Sequence, residues 1–163
     1  VAIDPPASHG KRADACGIVA AGIDKEGLVY ILADETLAQA RPAAWAQKAL
    51  ALYQRLEADA IVVEVNQGGD MAANVLHNAD KTIPVVPVRA TRGKYLRAEP
   101  VAHLAEKGGL KFSGAFPALE DEMCDFGPEG LSSGRSPDRL DAMVWAVTAL
   151  RNDLQAGPRM RAV

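Results

Sequence analysis

Several features are scarce in this chain, and each scarcity removes a class of protein. There are two cysteines, Cys16 and Cys124, far apart and with no CxxC or Cys/His spacing. Reduced thiols are therefore expected, rather than a disulfide framework or a zinc site. No apolar run approaches the roughly 18 residues of a membrane span, so the expectation is a soluble globular protein with no membrane partner. Positive charge is in deficit: 18 Lys and Arg against 21 Asp and Glu leave a net charge of −3. Nucleic acid cannot then be held by the surface as a whole, and any such contact must be local. Repeats and low-complexity blocks are missing, and no signal peptide is expected. Residue 1 is Val and not Met, as expected of a domain cut from a longer polypeptide. Gly93-Lys94-Tyr95 lacks both the Gly-rich lead and the following Ser/Thr of a phosphate loop, so no ATP hydrolysis is expected.

What is present fits one core, which 163 residues can supply without staples. Residues 1–4 (VAID), 16–23 (CGIVAAGI) and 28–33 (LVYILA) read as three strands in an antiparallel meander, the first stopped by Pro5-Pro6. Residues 36–57 have helical spacing, with Leu37, Trp45, Ala49, Leu52, Tyr53 and Leu56 near one stripe and Pro42 marking a first turn. Residues 61–65 (IVVEV) form a buried strand interrupted by Glu64. A helix over 68–77 follows, with Asp70 near its start and Met71, Val75 and Leu76 on its buried side. A fifth strand, 83–88, carries Pro84 and Pro87 and belongs near a sheet edge. Helices over 100–107, 117–126 and 138–154, a short edge hairpin at 108–113 and a mobile Gly/Ser/Pro loop at 127–137 complete the domain. Residues 155–163 read as a flexible tail. Trp45 and Trp145 fall on apolar stripes and are expected in the core; His77 and His103 lack ligand spacing, and His9 lies in the loop after Asp4.

Carboxylates carry the chemistry. A Glu inside a β-branched run loses hydration and needs a cation, a metal or a proton. Asp4 ends a strand, and Asp138 and Asp141, at i and i+3, share one side of the last helix. Singly, each has a plain explanation: a strand-end Glu at the sheet surface, or a helix-capping Asp. Gathered at one place, they would repel unless neutralised, and oxygen ligands without a His/Cys set favour Mg²⁺ or Mn²⁺. Two such ions about 4 Å apart activate water and stabilise the leaving oxygen of a phosphodiester. Arg89, Arg92, Lys94 and Arg97 form a basic patch with no acid between them, either a solvated face or a set of phosphate contacts.

The order of elements resembles the ribonuclease H-like fold: an α/β protein with a central mixed five-stranded sheet, three antiparallel strands then parallel ones, flanked by helices. The words VAIDPPAS, ADACGIVAAG, VVEVNQGGD, GKYLRAEPVAHL, GLKFSGAFPALEDEMCDF and SPDRLDAMVWA resemble the C-terminal nuclease domain of the large terminase subunit of tailed bacteriophages and gene transfer agents, nearly end to end. That resemblance implies a metal-dependent endonuclease cutting concatemeric double-stranded DNA when packaging begins and ends. Its ligands would be Asp4, Glu64 and Asp138, with Asp141 either a ligand or an orienting group and Asp14 a possible supporting acid. Two Mg²⁺ or Mn²⁺ ions would be bound, and Lys11, Arg12, Arg92, Lys94 and Arg97 would contact the DNA backbone. It also implies an N-terminal ATPase domain on the same polypeptide, a small subunit and a portal as partners, in the cytoplasm of a bacterial host. Where many relatives carry a His-Asp-Asp word this chain has Ser136-Pro137-Asp138, one acid fewer.

Three other readings make different demands. A junction-resolving nuclease would prefer four-way junctions to linear duplex. A nucleotide-binding module of the actin and sugar-kinase type would need glycine-rich phosphate turns in two duplicated halves, which Gly68-Gly69 alone does not supply. A DNA- or portal-docking module would bind without cutting in any divalent metal.

Overall fold

A computed structural model describes residues 1–6, 15–65 and 71–155, the last three by backbone alone. Six strands form one sheet: β1 (Ala2–Asp4), β2 (Gly17–Ile23), β3 (Val29–Asp34), β4 (Ile61–Glu64), β5 (Val85–Val88) and β6 (Leu110–Phe112). Five helices flank it: α1 (Pro42–Arg55), α2 (Met71–Ala79), α3 (Lys94–Glu106), α4 (Pro117–Asp125) and α5 (Asp138–Gln155). The spatial order is β5-β4-β1-β2-β3-β6. β1, β2 and β3 form the expected meander, and β4 and β5 extend it in parallel from β1. None of the described helices is long and apolar enough to cross a membrane.

Strand alternation decides which side chains meet which helices. Ile3 and Val63 point to one face, where they pack with Trp45, Ala49 and Leu52 of α1 and Leu76 of α2. Ala2 and Val62 point to the other, against Trp145 and Ala146 of α5. Two residues on from Ala2 and Val62 come Asp4 and Glu64, so both carboxylates face α5. The parallel register pairs Ala2 with Val62 and Ile3 with Val63, which puts the two acids side by side at the C-terminal ends of adjacent strands.

α5 is buried on nearly every side from Leu140 to Val147, because the sheet lies under it and α3 and α4 flank it. Its entry is held from α4: one Glu122 carboxylate oxygen accepts the backbone N–H groups of Arg139 and Leu140, both at 3.0 Å. This satisfies donors that the first turn of a helix leaves open. Arg139 in turn reaches Asp34 of β3 at 3.0 Å and Glu122 at 3.2 Å. At Gly17, a Cβ would sit 2.0 Å from the Asp138 carbonyl oxygen. Only glycine lets α5 come this close to β2, opposite Asp4 in the register.

Five expectations need correction. The sheet has six strands: residues 110–112 form no hairpin but a single strand parallel to β3, because Leu110 is buried beside Leu119 and Val101. The first helix begins at Pro42, as expected, but Leu37 is not on its stripe: it exchanges backbone hydrogen bonds with Cys16 at 2.8 and 3.0 Å and is held to the sheet. α3 begins at Lys94, with Pro100 inside it; Ala98 and Val101 on the α5 side, together with the ion pairs of Lys94 and Arg97, carry the helix through the proline. Met71 is 51% exposed, because Ala72 and Leu76, four apart, define the buried stripe of α2 and place Met71 off it. The loop at 127–137 is tied down: Asp125 accepts from Ser132 N at 2.9 Å and Oγ at 3.0 Å, and Gly127 and Gly130 exchange backbone hydrogen bonds. β5 is an edge strand, as its prolines imply. Both cysteines are free, Cys16 buried and Cys124 exposed.

Candidate metal centre

Four carboxylates, Asp4, Glu64, Asp138 and Asp141, are the buried charged residues of the described chain, between 2% and 8% exposed. Asp4, Glu64 and Asp141 each place an oxygen within 4.8 Å of the other two. Asp138, one turn before Asp141, adds its negative charge to the field at Asp4 and at the Cys16 thiol.

Two cations enter the cluster from α3. Lys94 Nζ lies 3.2 Å from Asp4 and 2.9 Å from Asp141 and donates to Ser136 Oγ at 2.9 Å. One guanidinium nitrogen of Arg97 reaches both oxygens of Asp141, at 2.7 and 2.6 Å, and stands 3.6 Å from Glu64. Arg97 also lies over the Trp145 ring, 4.9 Å from its centroid, a favourable site for a cation. The Trp145 indole N–H donates to Glu64. Lys94 and Arg97, three residues apart, fall on one side of α3, as Asp138, Asp141 and Trp145, spaced by three and four, do on α5.

These two cations do not offset the acids. Burial, opposed by Lys94 and reinforced by Asp141, Glu64 and Asp138, pushes the Asp4 carboxyl up to about 8. At Lys94 burial works against the charge, yet Asp4 and Asp141 outweigh it and hold the ammonium above the ordinary lysine value. Burial, with Asp4 and Asp138, also raises the Cys16 thiol well above its ordinary value, so this sulfur is no nucleophile. The donor set is all oxygen, pre-gathered and under-compensated, which suits a hard divalent cation.

The family of terminase RNase H-like domains matches residues 1–150. The chain belongs to that family. Solved structures agree on the fold of this terminase domain. The large terminase nuclease of thermophilic phage G20c is 18% identical, with a TM-score of 0.65, 90% of this chain and 78% of that one being covered; it is also known with cobalt, magnesium and zinc bound. The yeast mitochondrial Holliday junction resolvase Ydc2 is 13% identical, with a TM-score of 0.58 and 94% and 79% covered. The fowlpox virus resolvase, in complex with Holliday junction DNA, is 8% identical, with a TM-score of 0.52 and 93% and 99% covered. No curated protein matches.

The terminase domain thus brings Asp4, Glu64 and Asp141 together from three elements, while Asp138, expected as a ligand, is buried one turn earlier on α5 and stands outside that group of three. Lys94 and Arg97, read from the sequence as backbone contacts, lie among these acids, whereas Arg92 is exposed. Lys11, Arg12, Asp14, His9 and Asp70 lie outside the described residues, as does the tail from residue 156. Trp145 and Ser136 were not anticipated. A signal for Trp145 was available: it follows Asp141 by four residues on the same helix.

Proposed function

We propose that this domain is the DNA endonuclease of a genome-packaging terminase, cutting concatemeric double-stranded DNA by metal-assisted phosphodiester hydrolysis as packaging starts and stops. The convergence of Asp4, Glu64 and Asp141 within 4.8 Å is the observation that carries this reading. Membership of the terminase family supports the packaging role, and the metals bound by the phage G20c nuclease support a divalent ion. The ion is magnesium or manganese, held by Asp4, Glu64 and Asp141 with Asp138 alongside; a pair of ions is what the family resemblance implies. Bound there, Mg²⁺ or Mn²⁺ supplies Lewis acidity, making water nucleophilic near neutral pH and stabilising charge on the departing oxygen.

The chain's own side chains orient and neutralise. Arg97 fixes the Asp141 carboxylate through both oxygens, and Trp145 fixes Glu64 by its N–H. Lys94 stays protonated, so it serves as a positive charge beside the reacting phosphate and not as a base. The wider setting is the cytoplasm of a bacterial host, at the capsid portal, with the motor domain of the same polypeptide and the small subunit as partners.

Incubation of plasmid and linear duplex with the domain in Mg²⁺ or Mn²⁺ tests this. Cleavage abolished by EDTA, by Asp4→Asn and by Glu64→Gln is expected. Cutting that persists in either variant sinks the assignment, binding without cutting in every metal favours a docking module, and cutting confined to four-way junctions favours a resolvase.

A further inference from the structure

A groove of about 530 Å³ runs between α3 and α5, starting at Arg97 and Trp145, the back wall of the carboxylate cluster, and ending at Lys107 and Arg151. No carboxylate is among the described residues lining it; Arg89, Arg92, Lys107 and Arg151 are, along with His103. This is a local concentration of positive charge on a chain whose net charge is −3. Its floor is apolar, made by Leu96, Val101, Leu104 and Val144, and Leu96 is 52% exposed. At the inner end, Arg97 is 10% exposed and its buried Nε has no hydrogen-bond partner among the described residues.

We propose that this groove is a binding track for one DNA strand leaving the carboxylate site, an inference that rests on the nuclease reading above. Cations along both walls match a phosphodiester backbone, and an apolar floor accepts sugars and bases without reading their sequence. Ten residues separate Arg97 from Lys107, so the groove follows α3 for about 15 Å at ~1.5 Å per residue. That distance matches the rise of about four nucleotides at ~3.4 Å each. Lys94 and Arg97 are committed to the acids, so affinity for the strand beyond the site falls to the outer cations Arg92, Lys107 and Arg151, all exposed.

The test is the double variant Lys107→Glu/Arg151→Glu, titrated with a fluorescently labelled single-stranded oligonucleotide in EDTA over a range of salt. An affinity loss of at least about tenfold is expected, with the slope of log K against log salt shallower by about 1.4, the value for two lost phosphate contacts on a single strand. Melting temperature in EDTA and the metal-induced rise in melting temperature should match the wild type, since both side chains are remote from the carboxylates. Unchanged affinity and slope overturn the proposal. Polyglutamate binding that the double variant loses, with oligonucleotide binding intact, overturns it in favour of an acidic protein segment. Failure of the nuclease reading looks different: the wild type cuts nothing in Mg²⁺ or Mn²⁺ and gains no stability from either, whatever the groove variant does.

Discussion

Replacing Asp4 by Asn should make the metal-free protein more stable while destroying its response to metal. Asn mimics the protonated acid and removes one of four neighbouring negative charges that Lys94 and Arg97 do not balance. The Asp4 carboxyl titrates near 8 in the folded protein against 3.8 ordinarily. Folding therefore favours its protonated form. Between those two values the unfolded chain has released a proton that the native state keeps, so the stability of the metal-free protein falls as pH rises from about 4 to about 8 and is level above. At ~1.4 kcal/mol per unit the ceiling is about 6 kcal/mol. Side-chain relaxation and water entry lower what the substitution recovers to about 1–3 kcal/mol at pH 8, or roughly 3–10 °C in melting temperature. The assay is thermal unfolding of both proteins in EDTA and in excess Mg²⁺. Wild type should gain about 2.7 kcal/mol at a hundred times its dissociation constant, and Asp4→Asn little, so metal reverses the order of the two. A variant less stable than wild type in EDTA, or one gaining equally from Mg²⁺, would refute the charge argument.

Other perturbations probe the same cluster from different sides. Arg97→Ala leaves Asp141 and Glu64 without their guanidinium and should destabilise the metal-free protein by about 3–5 kcal/mol; chemical denaturation in EDTA measures this, and a loss under 1 kcal/mol would show the pair to be weakly coupled to folding. Trp145→Phe keeps a ring under Arg97 but removes the N–H to Glu64, at a cost of about 1–3 kcal/mol, together with weaker metal binding by calorimetry; an unchanged metal affinity would mean Glu64 needs no such anchor. Gly17→Ala forces a methyl against the Asp138 carbonyl, with a loss of about 1–3 kcal/mol or more and reduced cleavage as α5 shifts; a fully stable, fully active variant would contradict the close packing of β2 and α5. Across pH, metal binding by the wild type should tighten up to about 8, because Asp4 must shed its proton to ligate; calorimetry in buffers of different ionisation heat would detect the released proton, and pH-independent binding would exclude it.

Much of this protein was legible residue by residue. Alternation and β-branched runs mark β1 to β5, the prolines of β5 mark an edge, and Asp4 and Glu64 stand out as acids at the ends of apolar strands, because a strand's period and its tolerance for charge are local properties. The start of α3 was not legible. Pro100 argues locally for a helix start, and only the distant acids that hold Lys94 and Arg97, with the packing of Val101 on α5, extend the helix back to Lys94. The same shift turned two presumed surface cations into the internal counter-charges of the cluster. β6 joined β3 for a similar reason, since a parallel partner lies outside the reach of any local signal.

Composition and pattern by themselves determined an α/β chain with too few cations for general nucleic-acid binding and with acids placed where hydration is lost. Which acids draw together was decided only by the tertiary structure: the parallel register of β1 and β4, the close seat of α5 over Gly17, and the clamp of α3 on α5. Ionic interactions depend on separation and on the dielectric around them, and neither exists until elements far apart in the chain have packed.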